Sequence, residues 1–145
     1  MRRTYSTSLV DLDGDHDLDL VVVSDFSGLD LYLNDGKGKF KDITDTLGAA
    51  HYSFGMSHAF ADFNADGNMD MYMVGMGSTT ARRLEHLGLG RKGFESVQAA
   101  RMKMGYGNRL LLGNGKGGFR QASYNDSLAR TGWAWGCTPW DFDND

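Results

Sequence analysis

Three aspartate-rich stretches recur along the chain, and their spacing is that of a cation-binding loop. They read Asp11-Leu-Asp13-Gly-Asp15-His-Asp17-Leu-Asp19, then Asp62-Phe-Asn64-Ala-Asp66-Gly-Asn68-Met-Asp70, then Asp141-Phe-Asp143-Asn-Asp145. A loop that curls around one point aims positions 1, 3, 5 and 9 inward and adds a backbone carbonyl from position 7. That set of hard oxygens suits Ca²⁺, which takes 6–8 of them, better than Mg²⁺, which holds to octahedral geometry and keeps its waters. The expected ligands in the first loop are Asp11, Asp13, Asp15, the carbonyl of Asp17, and Asp19. In the second they are Asp62, Asn64, Asp66, the carbonyl of Asn68, and Asp70. Asp141, Asp143 and Asp145 supply the opening of a third site. Four aspartate side chains in the first loop, against three and a neutral amide in the second, predict that the first binds at least as tightly. Position 6 is Gly67 in one loop and His16 in the other; a left-handed backbone there would cost histidine about 1–2 kcal/mol.

Other metal chemistries lack their residues. The EF-hand needs a bidentate glutamate at position 12, where Val22 and Met73 stand, and its loop leads into a helix rather than a strand. No Cys/His cluster exists for zinc, and His16, His51, His58 and His86 have no ligand spacing. Five aspartates in nine residues repel one another without a counter-ion, which argues against a metal-free acidic turn.

The loops sit in a repeated frame. Counted from their first aspartates they are 51 and 79 residues apart. A strand-like stretch precedes each loop (5–10, 53–61, 132–140), and the last two align without a gap, Phe54 with Trp133 and Met56 with Trp135. An apolar strand follows (18–24, 69–75), then a second (28–34, 108–113). Hairpin turns come next, Asn34-Asp-Gly-Lys-Gly and Asn114-Gly-Lys-Gly-Gly, with glycine and asparagine where positive φ is needed. A last strand completes the unit (40–44, 119–123). Four strands in about 50 residues is a propeller blade. The expectation is an all-β fold, a partial β-propeller of two four-stranded blades. The first spans 1–56 and the second 57–131, with a partly helical insertion at about 77–106; 132–145 begins a third. In the insertion, Ser78 or Thr79 is placed to cap a helix over 81–87 that Gly88 stops, and a second helical piece runs over 94–103. Because the third loop stops at its fifth position, the expectation is a piece of something larger.

Composition agrees with a turn-rich domain: 145 residues, 20 glycines and one proline. Eleven of the 19 acidic residues lie in the three stretches, so the rest is basic, with eight acids against 15 bases. Much of that base lies in the insertion (Arg82, Arg83, Arg91, Lys92, Arg101, Lys103), read as a solvated helical face with an acidic partner as the alternative. Cys137 alone makes no disulfide framework. No apolar run reaches membrane-helix length, and no secretory h-region follows the first residues. Gly113-x-Gly115-x-x-Gly118 matches a dinucleotide fingerprint by letter but lies in a hairpin with no helix after it. Neither a phosphate-binding P-loop nor a G-x-S-x-G elbow is present. Trp133, Trp135 and Trp140 are expected in a core, with sugar stacking as the rival role.

Strand, D-x-D-x-D-G-x-x-D, strand and an N-D-G-x-G-x-F turn together resemble the FG-GAP or VCBS repeat, which builds the propellers of integrin α subunits and many secreted bacterial proteins. The Trp-Ala-Trp-Gly and Asp-Phe-Asp-Asn-Asp stretches and the insertion starting at Gly77 are most similar to bacterial relatives of the acidic cartilage protein. The resemblance implies an extracellular or periplasmic location, calcium that stiffens the blades, and loops that bind partners. The functional expectation is therefore a calcium-binding repeat module for protein or polysaccharide interaction or adhesion, completed by the remaining blades of a parent propeller. No nucleic-acid partner and no catalytic residue is assigned. The alternative is the propeller portion of a secreted polysaccharide lyase or hydrolase.

Overall fold

The computed structural model describes residues 3–142; Asp143 and Asp145 of the third acidic stretch lie outside them. The fold is all-β apart from a helical insertion. β1 (Arg3–Val10), β2 (Asp19–Asp25), β3 (Gly28–Asn34) and β4 (Phe40–Asp42) form one antiparallel sheet in sequential order. β5 (Gly55–Ala61), β6 (Asp70–Gly75), β7 (Arg109–Gly113) and β8 (Phe119–Gln121) form a second of the same order. Both are meanders, as a partial propeller requires. The second unit starts with β5 at Gly55, slightly earlier than the sequence boundary after Met56.

Register repeats between the sheets. Val10 faces Asp19 at the end of the first β1–β2 pair, and Ala61 faces Asp70 at the same place in the second. Each pair also carries one bulge near its other end, between Thr4 and Ser6 and between Gly55 and Ser57. Successive strand residues point to opposite faces, so one face of β2 and β3 presents Val21, Val23, Leu29 and Leu31. These pack on Met71, Met73 and Leu111 of the second sheet in a single core cluster. All seven are fully buried, and at about 25 cal/mol per Å² of apolar surface each contributes roughly 1.5–3 kcal/mol. The reverse face of the second sheet holds a smaller cluster, Leu110, Leu112 and Ala122, against Tyr72 and Leu128.

A 3-10 stretch, Thr44–His51, joins the sheets and is broken at Gly48. The sequence frame anticipates no such element; it forms where Thr44 Oγ1 accepts from the Leu31 amide (3.0 Å) and Leu47 and Ala50 join the core. The insertion folds as α1 (Thr79–His86), capped by Ser78 through the Ala81 amide at 3.0 Å, and α2 (Glu95–Met104).

The C-terminal segment departs from expectation. Its alignment with β5 predicts a strand over 132–140 with three tryptophans in a core. The segment has no strand, and Trp133, Trp135 and Trp140 are 68%, 69% and 75% exposed. A strand needs a neighbour to pair with, and among the described residues no partner strand lies beside it. It lies instead against the second sheet, where the Trp133 indole N–H donates to the Gly77 carbonyl (3.2 Å) and Cys137 Sγ reaches Ser57 Oγ (4.0 Å).

His58 sits where β5 meets the first sheet. It is 8% exposed, its Nε2 is 2.8 Å from Ser8 Oγ, and burial pushes its pKa below the ordinary value. An imidazole held neutral in the fold but free to charge when unfolded adds stability above about pH 6.5. That stability is lost as pH falls from there through the folded-state value. The melting temperature should therefore drop between pH 7.5 and 5.5, with a shallower slope in His58→Gln. Equal slopes for the two proteins would show that His58 carries none of the effect.

Candidate metal centre

Each acidic loop connects the first two strands of its sheet, and the aspartate at position 9 anchors it. Asp19 is fully buried; its Oδ2 accepts from the Leu12 amide and its Oδ1 from the Asn34 amide, both at 2.8 Å. Asp70 does the same, accepting from Phe63 (3.1 Å) and Gly113 (2.8 Å). One carboxylate thus holds the start of the loop to the end of the third strand. Charge-assisted bonds of this kind are about twice as strong as neutral ones.

Inside the first loop, Asp11 accepts from the amides of Gly14 (2.7 Å) and His16 (3.0 Å), and Asp15 accepts from Asp17 (2.9 Å). These bonds curl the chain with Gly14 at φ 80° and His16 at φ 74°. Position 6 therefore does require a left-handed backbone, and histidine adopts it. The curl brings Asp11, Asp13 and Asp15 together, one carboxylate oxygen from each lying within 4.8 Å of the others. Oxygens about 2.3–2.6 Å from a shared calcium fall within such a span.

Electrostatics mark the same point. Desolvation first, then the neighbouring charges of Asp15, Asp19 and Asp11, hold the Asp13 carboxyl above its ordinary range. Its Oδ1 is buried with no hydrogen-bond partner. A buried acceptor among like charges fits a divalent cation: the ion would satisfy the oxygen and remove the repulsion. Asp11 differs. Desolvation pushes its carboxyl up, but the amides of Gly14, His16 and Asp15 and the charge of His16 bring it below its usual value.

The second loop repeats the curl with other chemistry. Asp62 accepts from Asp66 (3.1 Å) and Gly67 (2.8 Å), with Ala65 at φ 55° and Gly67 at φ 84°. Its amides replace carboxylates and turn inward. Asn64 Nδ2 donates to Asp66 Oδ2 (2.9 Å) and Asn68 Nδ2 to Asp66 Oδ1 (2.8 Å). The Asn68 amide and the Asn64 side chain lead the influences that lower the Asp66 pKa. Among the described residues, the first loop alone gathers three carboxylates. Its surroundings differ too. The Gly117 amide in the second sheet's hairpin donates to the Leu12 carbonyl (3.0 Å), and a Cβ on Gly117 would press on Leu33 and Asp13. This roof over the first loop, and the bridging role of Asp19 and Asp70, were not read from the sequence. The recurrence of the position-9 aspartate beside a strand end was the available signal. Asp141 is described and stands in a segment without strands, and Asp143 and Asp145, the other ligands expected of a third site, lie outside the described residues.

Removing the bridge leaves two amides without acceptors, the Leu12 one buried. Asp19→Ala should destabilise the protein by about 1–3 kcal/mol for each buried amide it leaves unsatisfied, and Asp19→Asn, which keeps one acceptor, by less. Chemical denaturation checks both; an Asp19→Ala loss under about 1 kcal/mol would contradict the bridge.

Residues 11–73, from the first loop aspartate into β6, match the family model described as FG-GAP-like repeat. No curated protein and no solved structure matches the chain. The match supports the FG-GAP resemblance and does not extend to the VCBS or acidic-cartilage-protein families. Over this stretch the chain is similar to an FG-GAP-like repeat.

Proposed function

We propose that this chain is a calcium-binding repeat module of extracellular or periplasmic type, in which calcium is structural and the surface serves to bind a protein or carbohydrate ligand. The observation that carries the metal reading is the convergence of Asp11, Asp13 and Asp15 on one point, with a buried Asp13 oxygen lacking any donor. Bound there, a divalent cation would supply positive charge where three carboxylates repel. Asp11 and Asp15 fix the curl through backbone amides, Asp13 offers the free acceptor, and Asp19 ties the loop to β3. A loop held this way joins β1 to β2 and touches the roofing hairpin of the second sheet, so stiffening it stiffens the contact between the sheets.

The binding-module reading also draws on where the aspartates are used. Asp11, Asp15, Asp62 and Asp66 are taken up by the amides of their own loops, and Asp19 and Asp70 by amides of the loop and of the third strand, which leaves the basic insertion and the connecting loops as the surfaces to meet a partner. Sites of modest affinity suit the millimolar calcium of extracellular modules.

Calorimetric titration of the full chain with CaCl₂ tests the reading. Binding should be detected, with the first loop the tighter site. Calcium at about 100 times Kd should stabilise the fold by about 2.7 kcal/mol. Asp15→Ala should abolish the tighter site, whereas Asp66→Ala should spare it. No heat and no thermal shift in millimolar calcium, or an unchanged number of sites in both variants, would overturn the assignment.

A further inference from the structure

Opposite the acidic loops in each sheet lies the end carrying the β2–β3 and β6–β7 connections. In the first sheet that connection is a tight turn, Asp25–Gly28; in the second it is the helical insertion. The insertion folds back over the turn, and Phe26 stands between them. Phe26 lines three adjoining cavities. One of about 570 Å³ lies between Ser27, His51, Tyr52 and the α2 residues Val97 and Ala100. A second of about 260 Å³ is walled by Phe54, Arg91, Phe94 and Arg101. A third, also about 260 Å³, runs toward Met76, Ser78 and Trp133. The largest falls within the range of small-ligand sites.

Phe26 itself is unusual. Its backbone is left-handed, φ 59°, a conformation that bulky residues rarely adopt. Two residues on, Gly28 packs against the next connection, where only glycine fits: a Cβ there would lie 1.8 Å from the His51 carbonyl oxygen. Such a backbone costs about 1–3 kcal/mol, yet the ring is 60% exposed, so burial in the fold offsets little of it. The ring stands edge-on to Phe54, centroids 5.1 Å apart, and Trp133 on the same rim is likewise exposed. Open aromatic rings suit the C–H faces of sugar rings.

Two buried polar atoms beside these rings lack partners. His51 Nδ1 and Arg101 Nε are buried without a hydrogen bond, although the Arg101 guanidinium reaches Glu85 (2.7 Å) and the Leu89 carbonyl (2.8 Å) through its terminal nitrogens. Arg91 lies 4.5 Å over the Phe94 ring and Lys103 Nζ 5.1 Å from the Tyr52 ring centre. Aromatic walls, unsatisfied buried polar atoms and clustered cations ask for an amphipathic, ring-bearing and anionic ligand.

We infer that the cleft astride Phe26 binds an acidic oligosaccharide, one carrying uronate or sulfate groups. Its sugar faces stack on Phe26 and its neighbours, and its anionic groups meet Arg91 and Lys103. This rests on the reading of the chain as a binding module and names the ligand class.

The test titrates the full chain, in calcium, with oligogalacturonate, a sulfated heparin-type oligosaccharide, a neutral cello-oligosaccharide and polyglutamate. The two acidic sugars distinguish uronate from sulfate. At least one should bind, at least tenfold more tightly than the neutral sugar and polyglutamate. Phe26→Gly, which relieves the backbone strain and so should fold at least as well, should weaken that binding tenfold or more, and so should the surface change Arg91→Glu. Circular dichroism confirms that both variants are folded. Absence of binding by either acidic sugar, equal binding by polyglutamate, or affinity unchanged in both variants would overturn the proposal. A calcium titration that succeeds while the sugars fail overturns this inference alone.

Discussion

A fully buried carboxylate that accepts two backbone N–H groups is the constraint on which the rest of each unit depends. Asp19 joins Leu12 to Asn34, and Asp70 joins Phe63 to Gly113. Each fixes where its loop begins relative to the far end of the third strand, and so sets both the loop's curl and the hairpin's take-off. Burying a charge is costly unless its hydrogen bonds are made. The same two bonds in both units mean that the loop geometry is imposed by the sheet. The three carboxylates of the first loop are thus brought together by the fold despite their mutual repulsion.

The two units are alike in framework and unlike in surroundings. The first loop is roofed by the Gly117 hairpin and holds an orphaned Asp13 oxygen; the second is exposed and quiets its own charge with Asn64 and Asn68. The core between the sheets, valine and leucine on one side and methionine and leucine on the other, makes the roof possible. Unbranched, polarizable methionines fill the irregular gap between two twisted sheets. Packing of the sheets and shaping of the first loop are therefore one event.

Much of this was legible in the sequence because it is local. The eight strands, both hairpins and a helix cap at Ser78 or Thr79 follow from alternation, turn residues and loop spacing. What depends on distant neighbours was not legible. The 132–140 stretch aligns with β5 yet stays unpaired, since strand formation needs a partner, and its tryptophans stay exposed for the same reason. The bridging role of Asp19 was hidden behind its reading as a ligand. The left-handed Phe26 gave no signal at all, and Gly28's contact with His51 is a tertiary event.

The central claim is that the first loop is a calcium site built from side chains already in place. The most direct measurement is a crystal structure grown in CaCl₂ and read by anomalous scattering. The account predicts a peak bounded by Asp11, Asp13 and Asp15, with Asp13 Oδ1 at about 2.3–2.6 Å from the ion and Asp19 still accepting from Leu12 and Asn34. An empty first loop, or an ion that binds elsewhere while Asp13 Oδ1 stays without a partner, would contradict it.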